Sequence, residues 1–475
     1  MKQNTKLPLL EMPIGKALLV LSIPIVITNM LQVAYHFTDA YWVGRLGHDA
    51  VATVTVAGMI IFLTISLGSG LSIAGSILIA QYFGAKNEKM VNHTAAQTLL
   101  MILLSSGFLG GLGYIFTPQI ISLIGVDQAI FAQTVDYVRI SFIGVIFSFS
   151  FFMFQSIMRG IGKPNIPIFI VGLTVLINFG VNPFLIFGFG SFEGFGVVGA
   201  AITTLISQAI ATLIGFSMLF SGKYGIHLYL HDFIPDKQAI KKSFLLGLPS
   251  SIEMTARSGS YALLTIIVTM FGTLALAGFG VAGNIIQFVI IFSMGLSMAT
   301  SVLVGQSVGA GMIEKAKEIN KISAWISFIL LTILGGIAFI FAPYFIAFFV
   351  PGEDEVIKIG SEIVRISALF FGLIGIQMSL NGVLRAIGKT QIPMFITILG
   401  QWVIKLPLAY ILAHYTFLGM TGIWWAEPIT SIIICIVMFF IISKVDWSKA
   451  NMTKQEETEK KIIEESIIEE PIKEY

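Results

Sequence analysis

Long apolar blocks follow one another along almost the whole chain, separated by short polar stretches at nearly even spacing. A membrane-crossing α-helix needs about 20 consecutive apolar residues. Applying that length predicts twelve spans. They start near Ile14, Val51, Asn92, Val138, Ile166 and Val197, then near Phe244, Ala275, Ile319, Val364, Ile392 and Thr421. Residues 1–13 form a short leading segment and residues 14–220 a first set of six helices. Residues 221–243, with Lys223, Lys237, Lys241 and Lys242, form a central linker. Residues 244–443 form a second set of six, and residues 444–475 read as a charged, solvated tail. The blocks are too long and too unbroken for the alternating strands of a transmembrane β-barrel.

Composition agrees with this pattern. Of 475 residues, 56% are apolar and only 11% charged, against about 25% charged in ordinary soluble domains. So apolar a chain cannot clothe a water-exposed surface, which excludes a soluble enzyme or a nucleic-acid binder. Net charge is +2 and says little about partners. The lone cysteine, Cys435, permits no internal disulfide.

The connections do carry a charge bias. Even ones hold Lys86 and Lys89, Arg159 and Lys163, the linker lysines, Lys315 and Lys317, and Arg385 and Lys389. Odd ones are mostly acidic or neutral, with Asp127, Glu193, Glu353, Asp354 and Glu355; Arg45, Arg139, Lys358 and Arg365 are exceptions. Positive loops stay inside. A multi-pass protein of the cell membrane with both termini cytoplasmic is expected.

The chain also repeats. A shift of 225 positions lays Pro24 on Pro249, Gly47 on Gly272, Gly70 on Gly295, and Gln81, Gly84 and Ala85 on Gln306, Gly309 and Ala310. After one inserted residue, Arg139 meets Arg365, Arg159 meets Arg385 and Pro167 meets Pro393. Shared hydrophobicity does not hold Gly, Pro, Gln and Arg in register. Six helices per copy is an even number, so the copies are parallel, related by an axis along the membrane normal. Two bundles with a cavity between them suit alternating access.

Residues present in one copy only are candidates for chemistry. Asp39, whose counterpart is Leu264, lies in the outer half of helix 1 with Tyr35 and His36 one turn back. A carboxylate at membrane depth is expensive and usually functional, although one at a helix end would simply meet headgroups or Arg45. Asn178 and Asn182 share a face of helix 5, and Pro183 loosens that helix locally. Helix 6 opens with Thr203, Thr204 and Ser207. These carboxylate, amide and hydroxyl oxygens suit a hard cation; hydrogen bonding between helices is the other reading. Asp39, Asn178, Asn182, Thr203 and Thr204 are therefore the cation-site candidates, with Asp39 and Asn178 the expected Na+ ligands.

Tyr35, His36, Met153, Gln155 and its counterpart Asn381, and Glu253 with Arg257, are candidates to line a substrate cavity. Glu253 and Arg257 at i, i+4 are placed to pair, as are Lys405 and Glu427. Pro24 is a candidate bending point. Gln81 and Gln306, common to both copies, read as structural hydrogen-bonders. No nucleotide-binding, zinc or catalytic motif occurs, so neither a cofactor nor ATP is expected. An ion gradient, Na+ or H+, is the simplest driver.

Helix 1 with "TDAYWVGRLG", helix 2 with "AQYFGA", "RGIGK" after helix 4 and "LPSSIE" opening helix 7 resemble the multidrug and toxic compound extrusion (MATE) transporters. The likeness runs from about Ile14 to Ser443 and is strongest to a prokaryotic branch whose N-terminal bundle holds the cation site. It implies two six-helix bundles in a V, cation-coupled antiport, and export of amphipathic, often cationic compounds. It assigns the helix 1 aspartate to Asp39, the helix 5 asparagine to Asn178 and the helix 6 hydroxyl to Thr203 or Thr204. Asn182 stands where that family often has a second aspartate. Small-molecule substrates, lipid neighbours, no nucleic acid and a monomer are expected; the alternative is a flippase for lipid-linked precursors.

Overall fold

The computed structural model describes residues 7–453, and the chain is an all-α membrane protein. Its long helices are α1 (Ile14–Val43), α2 (His48–Gly84), α3 (Glu88–Ile124), α4 (Gln128–Gly160), α5 (Asn165–Phe187) and α6 (Val197–Phe220). The second half holds α7 (Lys237–Thr269), α8 (Thr273–Gly309), α9 (Ile313–Phe349), α10 (Asp354–Ala368 and Phe371–Ala386), α11 (Gln391–His414) and α12 (Met420–Ser443). Ten are individually long and apolar enough to cross a membrane, and α10, bent by 54° at its break, makes an eleventh. The twelfth, α7, is 33 residues long; Glu253, Arg257 and several serines dilute its hydropathy. A hairpin of β1 (Gly188–Phe189) and β2 (Phe192–Glu193) follows α5, pairing Gly188 with Glu193 and Phe189 with Phe192.

Local chemistry sets the helix starts. Asn87 caps α3 through Met90 N–H, and Asp127 caps α4 through Ala129 N–H. Gly47 and Gly272, related by the repeat, enter α2 and α8 at φ of 108° and 95°, a backbone region that favours glycine. Two starts differ widely from expectation: α4 begins at Gln128 and α10 at Asp354, ten residues before Val138 and Val364. Their first turns are polar helix that an apolar window does not register. In α11 a π-helical turn, Leu399–Lys405, precedes Pro407, which lacks the N–H that would continue the ladder.

The linker is docked and not free. Gln97 donates to Asp232 O and Ile234 O, each at 2.7 Å, and accepts from Asp236 N at 3.0 Å. Asp236 caps α7 through Gln238 and Ala239 N–H and meets the His93 ring at 3.1 Å, so α7 starts seven residues before Phe244. Partial burial pushes the Asp236 carboxyl up. The Ala239 amide, the His93 ring and the Gln238 amide outweigh it and hold the group below the ordinary carboxylate value. Stability from this cap is present above the unfolded carboxylate range and is lost as pH falls through the depressed native value. Asp236→Ala should lower unfolding stability by about 1 kcal/mol at neutral pH. That gap should close as pH falls below the ordinary carboxylate range, where the wild-type acid protonates too. Thermal melts across that range check it; a pH-independent gap would mean the charge does not matter.

Among the described residues the two bundles join at one end, the end bearing Leu7 and Thr453, here called basal. Ser251 Oγ donates to Leu67 O at 2.6 Å, and Ser69 Oγ meets Met254 Sδ at 3.2 Å. Gly70 lies against Ser251, Gly295 against Val26, and Gly247 against Leu71. Among the described residues, hydrogen bonds between the bundles run from this level to the basal end. Beyond it the arms part, giving the V.

The leading helix does not belong wholly to the first bundle. Ile14, Ala17, Leu18 and Leu21 share a buried cluster with Val302, Leu303, Val308 and Leu384 of the second, whereas Asp39 meets α5. Leu7, Leu9 and Leu10 join that same cluster, and Lys315 Nζ donates to Leu10 O. The expected solvated tail is corrected in part. Ala450 and Asn451 are buried against the basal face, and Asn451 donates to Val308 O at 2.9 Å. Residues 454–475 lie outside the described residues.

Candidate functional site: a carboxylate among orphaned oxygens

Asp39 sits where α1, α5 and α6 converge. Its Oδ1 accepts from Asn178 Nδ2 at 2.8 Å and from Asn182 Nδ2 at 2.9 Å, and its Oδ2 from Thr204 Oγ1 at 3.3 Å. Asn182 Nδ2 also lies 3.1 Å from Asn178 Oδ1. Both asparagines are fully buried. A carboxylate drawn partly out of water needs hydrogen bonds, and three donors from two neighbouring helices meet that need. The i, i+4 spacing on α5 is what brings both amides to one oxygen.

Three further oxygens crowd the same place without a partner. Asn182 Oδ1, Tyr35 Oη and Ser207 Oγ are buried and make no hydrogen bond among the described residues, although Tyr35 lies beside Thr204, Ser207 and Asn178. Buried polar atoms are ordinarily satisfied. Three neutral oxygens with lone pairs to offer, beside a carboxylate, form a ligand set that fits a small monovalent cation.

The site differs from expectation in detail. Thr203 Oγ1 donates to Gly199 O of its own helix at 2.9 Å, so Thr204 alone supplies the α6 threonine. Asn178 is the donor to Asp39, and the free amide oxygen is that of Asn182. Ser207, one turn from Thr204, belongs to the cluster, and that spacing is the signal that points to it. His36 is exposed and meets the Tyr35 ring edge-on at 6.2 Å, outside the hydrogen-bonded group.

Several cavity candidates face elsewhere. Met153 is fully buried, with its Cε against Gly75, filling the first bundle's core. Gln155 and Asn381 are buried, each 3% exposed. Glu253 does not pair chiefly with Arg257, which stands at 3.7 Å. Both its oxygens are held by Arg385 at 2.7 Å, a residue whose place at the helix end hid its reach. Lys405 does pair with Glu427, at 2.5 Å, and Gln401 bridges Lys405 to Ser260. Pro24 lies within an unbroken α1, between the half packed on the second bundle and the half carrying Asp39.

Two parallel six-helix bundles joined basally, with an asymmetric polar cluster in one of them, define the class: a multi-pass membrane protein of transporter architecture. The MatE family model matches the chain twice, over residues 24–184 and 249–411, one match per half. The chain therefore belongs to the MatE family. It is 29% identical over 434 residues to the probable multidrug resistance protein YoeA of Bacillus subtilis, covering 90% of this chain and 93% of that one. It is 27% identical over 421 residues to a probable multidrug resistance protein NorM of Thermotoga maritima, covering 88% and 90%. A solved outward-facing multidrug resistance MATE family transporter superposes with a TM-score of 0.84 at 26% identity, covering 93% and 97%.

Proposed function

We propose that the protein is a cation-coupled antiporter that exports amphipathic, often cationic organic compounds across the cell membrane by alternating access. The Asp39 cluster carries this reading: one part-buried carboxylate, with no counterpart in the other bundle, beside oxygens with no partner among the described residues. The relatives' names, probable multidrug resistance proteins, support drugs as the substrate class. The basic residues on the basal loops support a cytoplasmic basal face and cytoplasmic termini, so the open arms face outward.

Sodium is the coupling ion we infer. A neutral amide or hydroxyl oxygen ligates a cation but does not take up a proton, and only one carboxylate is present. In the outward-open form, Asp39, Thr204, Asn182, Tyr35 and Ser207 hold the ion. Drawing these oxygens together moves the distal half of α1 against a basal half anchored in the other bundle, with the change absorbed at Pro24. Substrate then leaves outward. Coupling requires that ion and drug differ in affinity between the two forms.

Inverted vesicles loaded with ethidium-free buffer separate the alternatives. A sodium gradient, lumen high, with the pH gradient collapsed, should drive ethidium uptake. Uptake on a pH gradient alone would replace sodium by protons, and uptake on neither would end the antiport reading.

A further inference from the structure

We propose that the interior of the C-terminal bundle binds the anionic group of an aromatic acid-bearing substrate, with Arg257 as its counter-ion. This rests on the exporter reading and adds a substrate class to it. Five charges meet there, three cations and two carboxylates. Arg385 holds both oxygens of Glu253 at 2.7 Å, and Lys405 holds Glu427 at 2.5 Å. Each carboxylate thus already has a close cation. Arg257 stands 3.7 Å from Glu253 and acts on Glu427 from beyond ion-pair distance. The five groups carry one net positive charge, and Arg257 makes the longest ion pair among them. It is also the most open of the five side chains, 44% exposed against 34% for Glu427 and 2% for Glu253.

An aromatic shelf adjoins it. Tyr261, one turn on from Arg257, is half-exposed and offers the open ring face; beneath it lies buried Phe279, stacked on it at 5.4 Å and on buried Trp424 at 5.8 Å. Trp424 is three residues from Glu427, so shelf and charges share a wall. Its Nε1 is buried and has no acceptor among the described residues. Under the repeat, Arg257 and Tyr261 correspond to Gln32 and His36, so the feature belongs to this bundle alone. A guanidinium fork takes a carboxylate bidentately, and an aromatic face takes a flat ring. A halide would use the charge and leave the shelf idle.

Equilibrium binding to the full-length protein in lipid nanodiscs tests this without any gradient, so it can fail while export stands. The probes are tritiated 1-naphthaleneacetate and its neutral amide, with empty nanodiscs as background. The acid should bind about tenfold tighter than the amide. Arg257→Gln should bring that ratio near one, and Arg257→Lys should leave it in between; the ratio within one variant does not follow general loss of fold. A ratio unchanged in Arg257→Gln, or equal affinities in the wild type, would overturn the proposal. So would displacement of the acid by chloride with no preference over the amide, which would mark a halide site.

Discussion

Asp39→Asn should abolish gradient-driven export while leaving a folded protein. The substituted amide keeps an oxygen that can accept from Asn178 and Asn182, now at 2.8 and 2.9 Å from Asp39 Oδ1, so packing of α1 on α5 survives. What goes is the only negative charge of the cluster. At an effective dielectric of about 20, unit charges 4 Å apart attract by about 4 kcal/mol, close to a thousandfold in cation affinity. Export of a cationic dye should therefore drop by two orders of magnitude or more, as measured in cells at matched expression and in vesicles under an imposed sodium gradient. Thr203→Ala should export near the parental rate, because that hydroxyl only returns to Gly199 O. An Asp39→Asn protein that extrudes dye at the parental rate would remove Asp39 from the engine.

Most of this site was readable from the asymmetry between the two copies. Asp39 against Leu264, and the Asn178–Asn182 pair, stand out because a duplicated bundle has no structural need for them in one half only. Choosing between Thr203 and Thr204 was not possible from adjacency, since consecutive helical residues point about 100° apart and nothing in the sequence fixes the rotation. The burial of Met153, Gln155 and Asn381 is not legible for a related reason. A membrane helix apolar all round carries no amphipathic stripe to tell core from cavity. Glu253 was matched to Arg257 by i, i+4 spacing, but Arg385, distant in sequence, reaches it first. The helix starts at Gln128 and Asp354 were late because polar first turns lie outside the apolar window. The burial of Ala450 and Asn451 had no signal in a segment whose composition reads as solvated.

Breaking the basal crossing should shift the protein toward a form open at its base. Gln81 and Gln306 make reciprocal bonds between the bundles. Gln81 Nε2 donates to Ala386 O at 2.8 Å, at the end of α10, and Gln306 Nε2 donates to Gly160 O at 2.9 Å, at the end of α4. Donors and acceptors are both related by the repeat. Between them α2 and α8 cross at Gly84, against Gln306 O, and Gly309, against Gln81 O, where a Cβ would overlap the carbonyl. Gln81 has two further bonds to the C-terminal strap, donating to Ala450 O at 3.1 Å and accepting from Met452 N at 2.9 Å. Alternating access requires all of these to part. Four bonds at about 1 kcal/mol each come to about 4 kcal/mol, roughly a thousandfold in the basal opening equilibrium. Because Cys435 is the chain's only cysteine, Cys435→Ser gives a clean background for spin labels at Lys89→Cys and Glu314→Cys, in the first turns of α3 and α9 of opposite bundles. Gln81→Ala with Gln306→Ala should add a longer distance to the single short one of the parent. Gln306→Ala alone loses one bond and should add less of it. Stopping the chain after Lys449 removes two of Gln81's partners and should fall between. Gly309→Ala reaches the same form by steric wedging, at about 1–3 kcal/mol. Distance distributions identical to the parent's in the double Gln variant and in Gly309→Ala would mean that this crossing does not hold the base closed.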